Sequence, residues 1–311
     1  MSGSAVRLSV LLAVLGAGWG LTQPLAKIAV GGGHQPFGIV FWQLALGALI
    51  LGTVMLWRRE PLPRGHRHVR LYVVIALIGT VLPNSASFLA AIHLPAGLIS
   101  ILLSLVPIFA FPIALALGTE GFSPIRLFGL GLGLAGVVLI VGPEASLPDP
   151  AMLAFVPIAL IAPLFYALEG NVVAKWGTFG ATPVAVLFGA SVAGAVVALP
   201  LALTSGQFVD PRAPWGLPEG AIVLSATVHA FVYCGYVWLV GRAGATFAAQ
   251  VSYFVTGFGV LWAMALLGER YTIWVWGALA LMTFGLFLVQ PHPGKAFGDL
   301  SGSRRGEREP C

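Results

Sequence analysis

Ten runs of about 20 apolar residues follow one another through this chain, and most of the connections between them are very short. They cover about residues 8–30, 36–57, 70–92, 95–117, 124–142, 152–174, 182–204, 219–241, 245–267 and 272–290. A helix needs about that length to cross the hydrocarbon of a bilayer, and a backbone inside hydrocarbon must satisfy its own hydrogen bonds. The pattern therefore predicts an all-α polytopic membrane protein with ten transmembrane helices. Composition agrees: 58% of the residues are hydrophobic and 9% charged, where a soluble domain carries about 25% charged residues. The first run is too long for the h-region of a signal peptide, about 7–15 residues, and reads as a retained helix.

The charges gather between the runs. With the N-terminus inside, the inner segments hold Arg7, Arg58, Arg59, Arg64, Arg67, Arg70, Arg126, Lys175, Arg242, Lys295, Arg304, Arg305 and Arg308. Only Lys27, Arg212 and Arg270 fall outside, so 13 of the 16 basic residues lie inside. The positive-inside rule then selects cytoplasmic N- and C-termini in a cell (inner) membrane. Nucleic acid is not an expected partner despite the pI near 9.6, because the basic residues mark orientation and form no binding stripe. Membrane lipid and a small-molecule substrate are the expected partners, and the sequence leaves the oligomeric state open. Residues 291–311 are polar and read as a disordered cytoplasmic tail. The two cysteines, Cys234 and Cys311, give no disulfide framework and no metal spacing. No metal and no cofactor are expected.

The chain repeats itself. Trp19, Thr22, Gln23 and Pro36 fall on Tyr166, Glu169, Gly170 and Pro183 at an offset of 147. Further on the offset becomes 149, and Glu120, Ser123 and Gly136 fall on Glu269, Thr272 and Gly285. The unit is thus five helices, residues 8–142 and 152–290. An odd number of crossings makes the two units enter the membrane from opposite sides, an inverted repeat of the kind secondary transporters use.

The residues GWG at Gly18–Gly20, Pro107 in the fourth run, Gly268-Glu269, and the glycine-rich 129–142 carry a resemblance to a known family. The chain resembles the EamA-type family of the drug/metabolite transporter superfamily over about residues 8–290. The resemblance implies two EamA-like five-helix repeats, with helices 1, 3, 4, 6, 8 and 9 around a central cavity, and export of metabolites or amino acids. Two departures stand out. Gln43 occupies the place where the family often has an Arg early in its second helix, and Thr119 interrupts the first-half pair as Gly118-Thr119-Glu120.

Polar side chains inside the runs mark candidate cavity faces, since hydrocarbon offers them no partner. Glu169 is the one acidic residue deep within a run, and it shares a helical face with Tyr166. It is the candidate for proton coupling. Ser225, His229, Tyr233 and Tyr236 form one face of the eighth helix, and at offset 149 they meet Ala76, Thr80, Asn84 and Ser87 of the third. Gln250 stands beside a stripe of Thr246, Tyr253 and Thr256, answered by Ser100 and Ser104 in the fourth helix. The candidate substrate-binding residues are Trp19, Gln23, Thr80, Asn84, Ser87, Tyr166, Glu169, His229, Tyr233, Tyr236, Gln250 and Tyr253. Each has a plainer reading. Serines can bond their own helix backbone, aromatic residues can simply pack, and His229 can be a neutral core residue. Lys27 can snorkel to the outer interface. Glu120 and Glu269 read as structural, closing the turns into the fifth and tenth helices.

The leading expectation is a secondary transporter, an exporter by its family resemblance, that moves small organic solutes by alternating access. An intramembrane enzyme would need a nucleophile and base, such as Ser–His, or a metal motif; His229 is the only deeply placed His, and no metal motif surrounds it. A scaffold or receptor would not need matched polar faces in both halves. No Walker motif is present, which speaks against a self-contained ATP-driven pump.

Overall fold

The computed structural model describes residues 3–141, 149–243 and 250–289. The tail 291–311, the ends of both repeats at 142 and 290, and Thr246 lie outside the described residues. Among the described residues all regular structure is helical. The helices are α1 (Gly3–Gly31), α2 (Pro36–Arg58), α3 (His66–His93), α4 (Ala96–Ala116), α5 (Pro124–Val141), α6 (Val156–Trp176), α7 (Pro183–Thr204), α8 (Leu217–Ala243), α9 (Val251–Leu267) and α10 (Ile273–Val289). Eight contain a stretch long and apolar enough to cross a membrane. The other two, α9 and α10, are apolar and 17 residues each, about 25 Å at 1.5 Å per residue.

The connections alternate between two ends of the bundle. At one end Thr182 bonds Glu60, and Arg70 stacks on the Trp176 ring with its guanidinium 4.9 Å from the centroid. At the other, the 205–216 loop folds over the start of α2, where Phe37 N donates to Gln207 Oε1 at 3.0 Å and Trp42 Nε1 to Val209 O at 2.8 Å.

Helices pack mainly across the two halves of the sequence. α1 lies against α8 and α9, α6 against α3 and α4, α2 against α7 and α8, α3 against α7, α4 against α9, and α5 against α10. Exchanging each helix for the one five later maps this set of principal contacts onto itself. The α5–α10 pair meets through glycines: a β-carbon at Gly129 would lie 2.7 Å from Gly285 O, and one at Gly285 would lie 2.6 Å from Gly129 O. Helix association in hydrocarbon relies on such backbone approach, because lipid is as apolar as the side chains.

Proline sets two breaks that shape the centre. Pro83 has no N–H, so the carbonyl of Gly79 loses its helical partner. The chain answers with a π turn at Leu77–Val81, in which Leu82 N reaches back to Leu77 O. Pro107 likewise interrupts α4, which breaks at Ser104 and Leu105.

Both ends of the short α3–α4 connection are capped by side chains from elsewhere in the chain. Lys27 donates to the carbonyls of Ala91, Ile92 and Leu94 at 2.7, 3.3 and 3.0 Å. It therefore caps the end of α3 instead of snorkelling: those carbonyls have no helical donor and attract a cation. Glu269 accepts from the N–H groups of Ala96 and Gly97 at 2.8 and 3.1 Å. Its role is structural, as expected, but it caps α4 and not the turn into its own following helix. Gly268 makes this possible by ending α9 in the left-handed region at φ +66°. Glu120 behaves differently, pairing with Arg126, because Thr119 adds a residue after the left-handed Gly118 (φ +67°).

Candidate functional site

The breaks and cross-half contacts leave a cavity within the bundle whose largely apolar wall carries a band of polar side chains. It holds about 120 Å³ and is lined from α2, α3, α6, α7 and α8, with Gln43, Thr80, Asn84, Tyr166, His229 and Tyr233 as its polar residues alongside Ser191. A smaller cavity of about 60 Å³ adjoins it, sharing Gln43, Asn84, Tyr166 and His229 and adding Thr22, Gln23, Ser87 and Ser225.

Two side-chain arrays build the walls. In the first, the Tyr166 hydroxyl donates to Asn84 Oδ1, and Asn84 Nδ2 donates to Gln43 Oε1 at 2.8 Å. This chain ties α6 to α3 and α2. In the second, Trp19 Nε1 donates to His229 Nδ1 at 3.2 Å. The Trp19 ring also packs on Tyr233 and Tyr236, with centroids 6.3 and 5.3 Å away, and Tyr233 and Tyr236 meet each other at 6.4 Å. An indole N–H can only donate, so His229 Nδ1 accepts and carries no proton. The imidazole is exposed even though its helix sits inside the bundle, because it opens onto the cavity.

Glu169 stands directly over the π turn of α3. A β-carbon at Gly79 would lie 2.6 Å from its Cδ and 2.8 Å from its Oε1. Gly79 is therefore the residue that leaves room for the carboxylate at the cavity wall. Among the described residues no hydrogen bond or ion pair reaches that carboxylate.

The structure thus brings together Trp19, Gln23, Thr80, Asn84, Ser87, Tyr166, Glu169, His229, Tyr233 and Tyr236. It places two candidates elsewhere. Gln250 is an exposed residue in the turn before α9, not within the helix. Tyr253 faces a groove between α9 and α10 with Trp276 and Phe284. The α9 face that enters the bundle is taken by small residues instead: Gly259 lets Ser100 approach, its β-carbon position being 2.3 Å from Ser100 Oγ. Ser100 and Ser104 are buried and bond the carbonyls of Ala96 and Ile101, so the plainer reading holds for both. Gln43 and Gly79 were not among the candidate binding residues. Gln43 had a signal, an amide alone in an apolar run; Gly79 had none, since its role depends on what lies across from it.

Outside the spanning segments, burial and the neighbouring Glu269 carboxylate push the Tyr271 hydroxyl up from its ordinary pKa. It stays protonated and donates to Glu269, completing the cap on α4.

The comparisons agree with this architecture. The EamA-like transporter family matches residues 7–142 and 154–290. The chain belongs to that family, two copies of whose pattern it carries, and so to the drug/metabolite transporter superfamily. Among curated proteins none matches. Of solved structures, 21 chains match. One, a crystal structure described only as that of a protein, is 17% identical with a TM-score of 0.61, covering 93% of this chain and 96% of its own. At that identity the likeness shows the fold alone.

Proposed function

We propose that this protein is a secondary transporter of small organic metabolites or drug-like solutes in a cell (inner) membrane, working as an exporter by alternating access. The observation that carries the reading is the cavity at the centre of the bundle, walled by polar and aromatic side chains from both halves of the sequence. Polar groups at that depth are expensive unless they serve a ligand or each other, and the Glu169 carboxylate is served by no other described side chain.

In this reading α9 and α10 cross the membrane with the other eight, giving ten spans in two inverted five-helix repeats, about residues 8–142 and 152–290, with both termini cytoplasmic. The symmetry of the principal helix contacts supports that arrangement. A substrate held between the halves is then exposed to one side or the other as the halves rock. Trp19, Gln23, Thr80, Asn84, Ser87, Tyr166, Glu169, His229, Tyr233 and Tyr236 contact substrate, and Glu169 is the proton-coupling residue. Membership of a transporter family supports transport over catalysis.

The test is reconstitution. Proteoliposomes loaded with candidate solutes, first chosen by ligand-induced thermal stabilisation of the purified protein, should release them faster than empty liposomes and faster still under a pH gradient. Glu169→Gln should abolish the effect of the gradient and leave gradient-independent exchange of uncharged solutes intact. A wild-type response to the gradient in that variant would remove Glu169 from coupling. Release no faster than from empty liposomes for every stabilising ligand would remove the transport reading itself.

A further inference from the structure

Four cavities share lining residues in turn from the centre of the bundle to its rim, and the charged residues that line them, both at the rim, are acidic. The central cavity shares Gln43 and Asn84 with the smaller one beside it. That one shares Ala26, Gln43 and Phe88 with a third, and the third shares Ile222 with a pocket at the rim. The rim pocket is walled by Trp42 and Trp215 and carries Asp210 and Glu219. Among the described residues no Lys or Arg lines any of the four. At the inner limit of the series stands Glu169 across Gly79.

Several of the neighbouring positive groups are turned to other work. Lys27, on α1 close by, is held by three carbonyls at the end of α3. Arg70 lies over Trp176 at one end of the bundle. At the rim, His34 Nε2 bonds Glu219 Oε1 at 2.6 Å, and the backbone N–H of Arg212 donates to Asp210 Oδ1 at 2.9 Å while the residue itself stays exposed. His229 holds no proton on the nitrogen that faces Trp19. Its neighbours Trp19, Tyr233 and Tyr236 offer ring faces, and a cation over an aromatic face is attracted by the ring quadrupole.

An anionic solute needs a cation or a set of free N–H donors at the end of its path. Here it would meet Asp210 and Glu219 at the rim and Glu169 behind Gly79, with no guanidinium or ammonium among the described lining residues. Gln43 is decisive: its Oε1 accepts from Asn84 at the wall of both inner cavities, in a place where an arginine would have reversed the sign. We propose that the central site selects monovalent organic cations with an apolar or aromatic body, with Glu169 as their charge partner, the ring faces of Trp19, Tyr233 and Tyr236 around the body, and Gln43 as the residue that keeps the site free of competing positive charge. This deepens the transport reading and rests on it.

The test separates the two ideas. Binding of 2-phenylethylammonium, 2-phenylethanol and phenylacetate to the purified protein is measured by quenching of tryptophan fluorescence at neutral pH. The ammonium should bind at least about tenfold more tightly than the alcohol, and the carboxylate most weakly. Glu169→Gln should erase the ammonium's advantage and leave the alcohol within about twofold of wild type. Gln43→Arg should weaken the ammonium by about tenfold or more and strengthen phenylacetate. Equal binding of ammonium and alcohol, tighter binding of phenylacetate, or no ammonium binding up to about 10 mM would each overturn the cation assignment. Flux of the membrane-impermeant benzyltrimethylammonium through proteoliposomes is scored separately. Cation-selective binding with no flux of any bound solute would sink transport but not selectivity; flux of neutral or anionic solutes without cation preference would do the reverse.

Discussion

Glu269 and Ala96 are joined by a hydrogen bond of 2.8 Å from the Ala96 N–H to Glu269 Oε1, although 173 positions separate them in sequence. The other oxygen takes the N–H of Gly97. One carboxylate from the second half thus satisfies two of the free donors at the start of α4 in the first, where the helix dipole favours negative charge.

Glu269→Ala should lower the stability of the purified protein by about 1–2 kcal/mol, the usual worth of a good N-terminal cap. Glu269→Gln keeps one acceptor oxygen and should lose about half as much. Thermal unfolding in detergent reads both. Wild-type stability in the alanine variant would show that the cap does not hold the two halves together.

Gly79→Ala places a methyl where the Glu169 carboxylate now sits. Overpacking of this kind costs about 1–3 kcal/mol, and substrate binding should fall with it. Removing the obstruction should undo the stability loss: Gly79→Ala in a Glu169→Ala background should sit within about 0.5 kcal/mol of Glu169→Ala alone. A double-mutant cycle in chemical denaturant measures this. Full additivity would mean that the two residues do not meet.

Cysteines at Asn84 and Tyr233, with Cys234 and Cys311 replaced by serine, should react with a small water-soluble thiol reagent and be protected by substrate. Both native residues line the central cavity. Cysteine at Leu134, which is 46% exposed on α5, or at Leu281 on α10 should resist the reagent, because in the proposed arrangement these helices face lipid or each other. Similar labelling of all four would dissolve the case for an aqueous cavity.

A reporter fused after Arg64 should be cytoplasmic and one fused after Asp149 external. The distribution of basic residues motivates this: Arg58, Arg59, Arg64, Arg67 and Arg70 crowd the segment between α2 and α3. Both reporters on one side would contradict inverted five-helix units.

That this is a helical membrane protein, where its long apolar helices run and which family it belongs to were legible in the residues alone. Each of those follows from local physics: hydrocarbon demands about 20 apolar residues per crossing, and periodicity puts His229, Tyr233 and Tyr236 on one face whatever they pack against. That ten of the twelve candidate binding residues, drawn from α1, α3, α6 and α8, meet in one place is a matter of how those helices pack. Relations between helices are not local and had to come from the fold. Tyr253 was misplaced because a polar stripe shows that a face seeks a partner but not which one, and α9 turned Gly259 inward to let Ser100 approach. Lys27 was read as snorkelling because nothing in its own helix reveals the open carbonyls of Ala91, Ile92 and Leu94. The importance of Gly79 was invisible for the same reason: a missing side chain has meaning only once the Glu169 carboxylate that fills the space is in view.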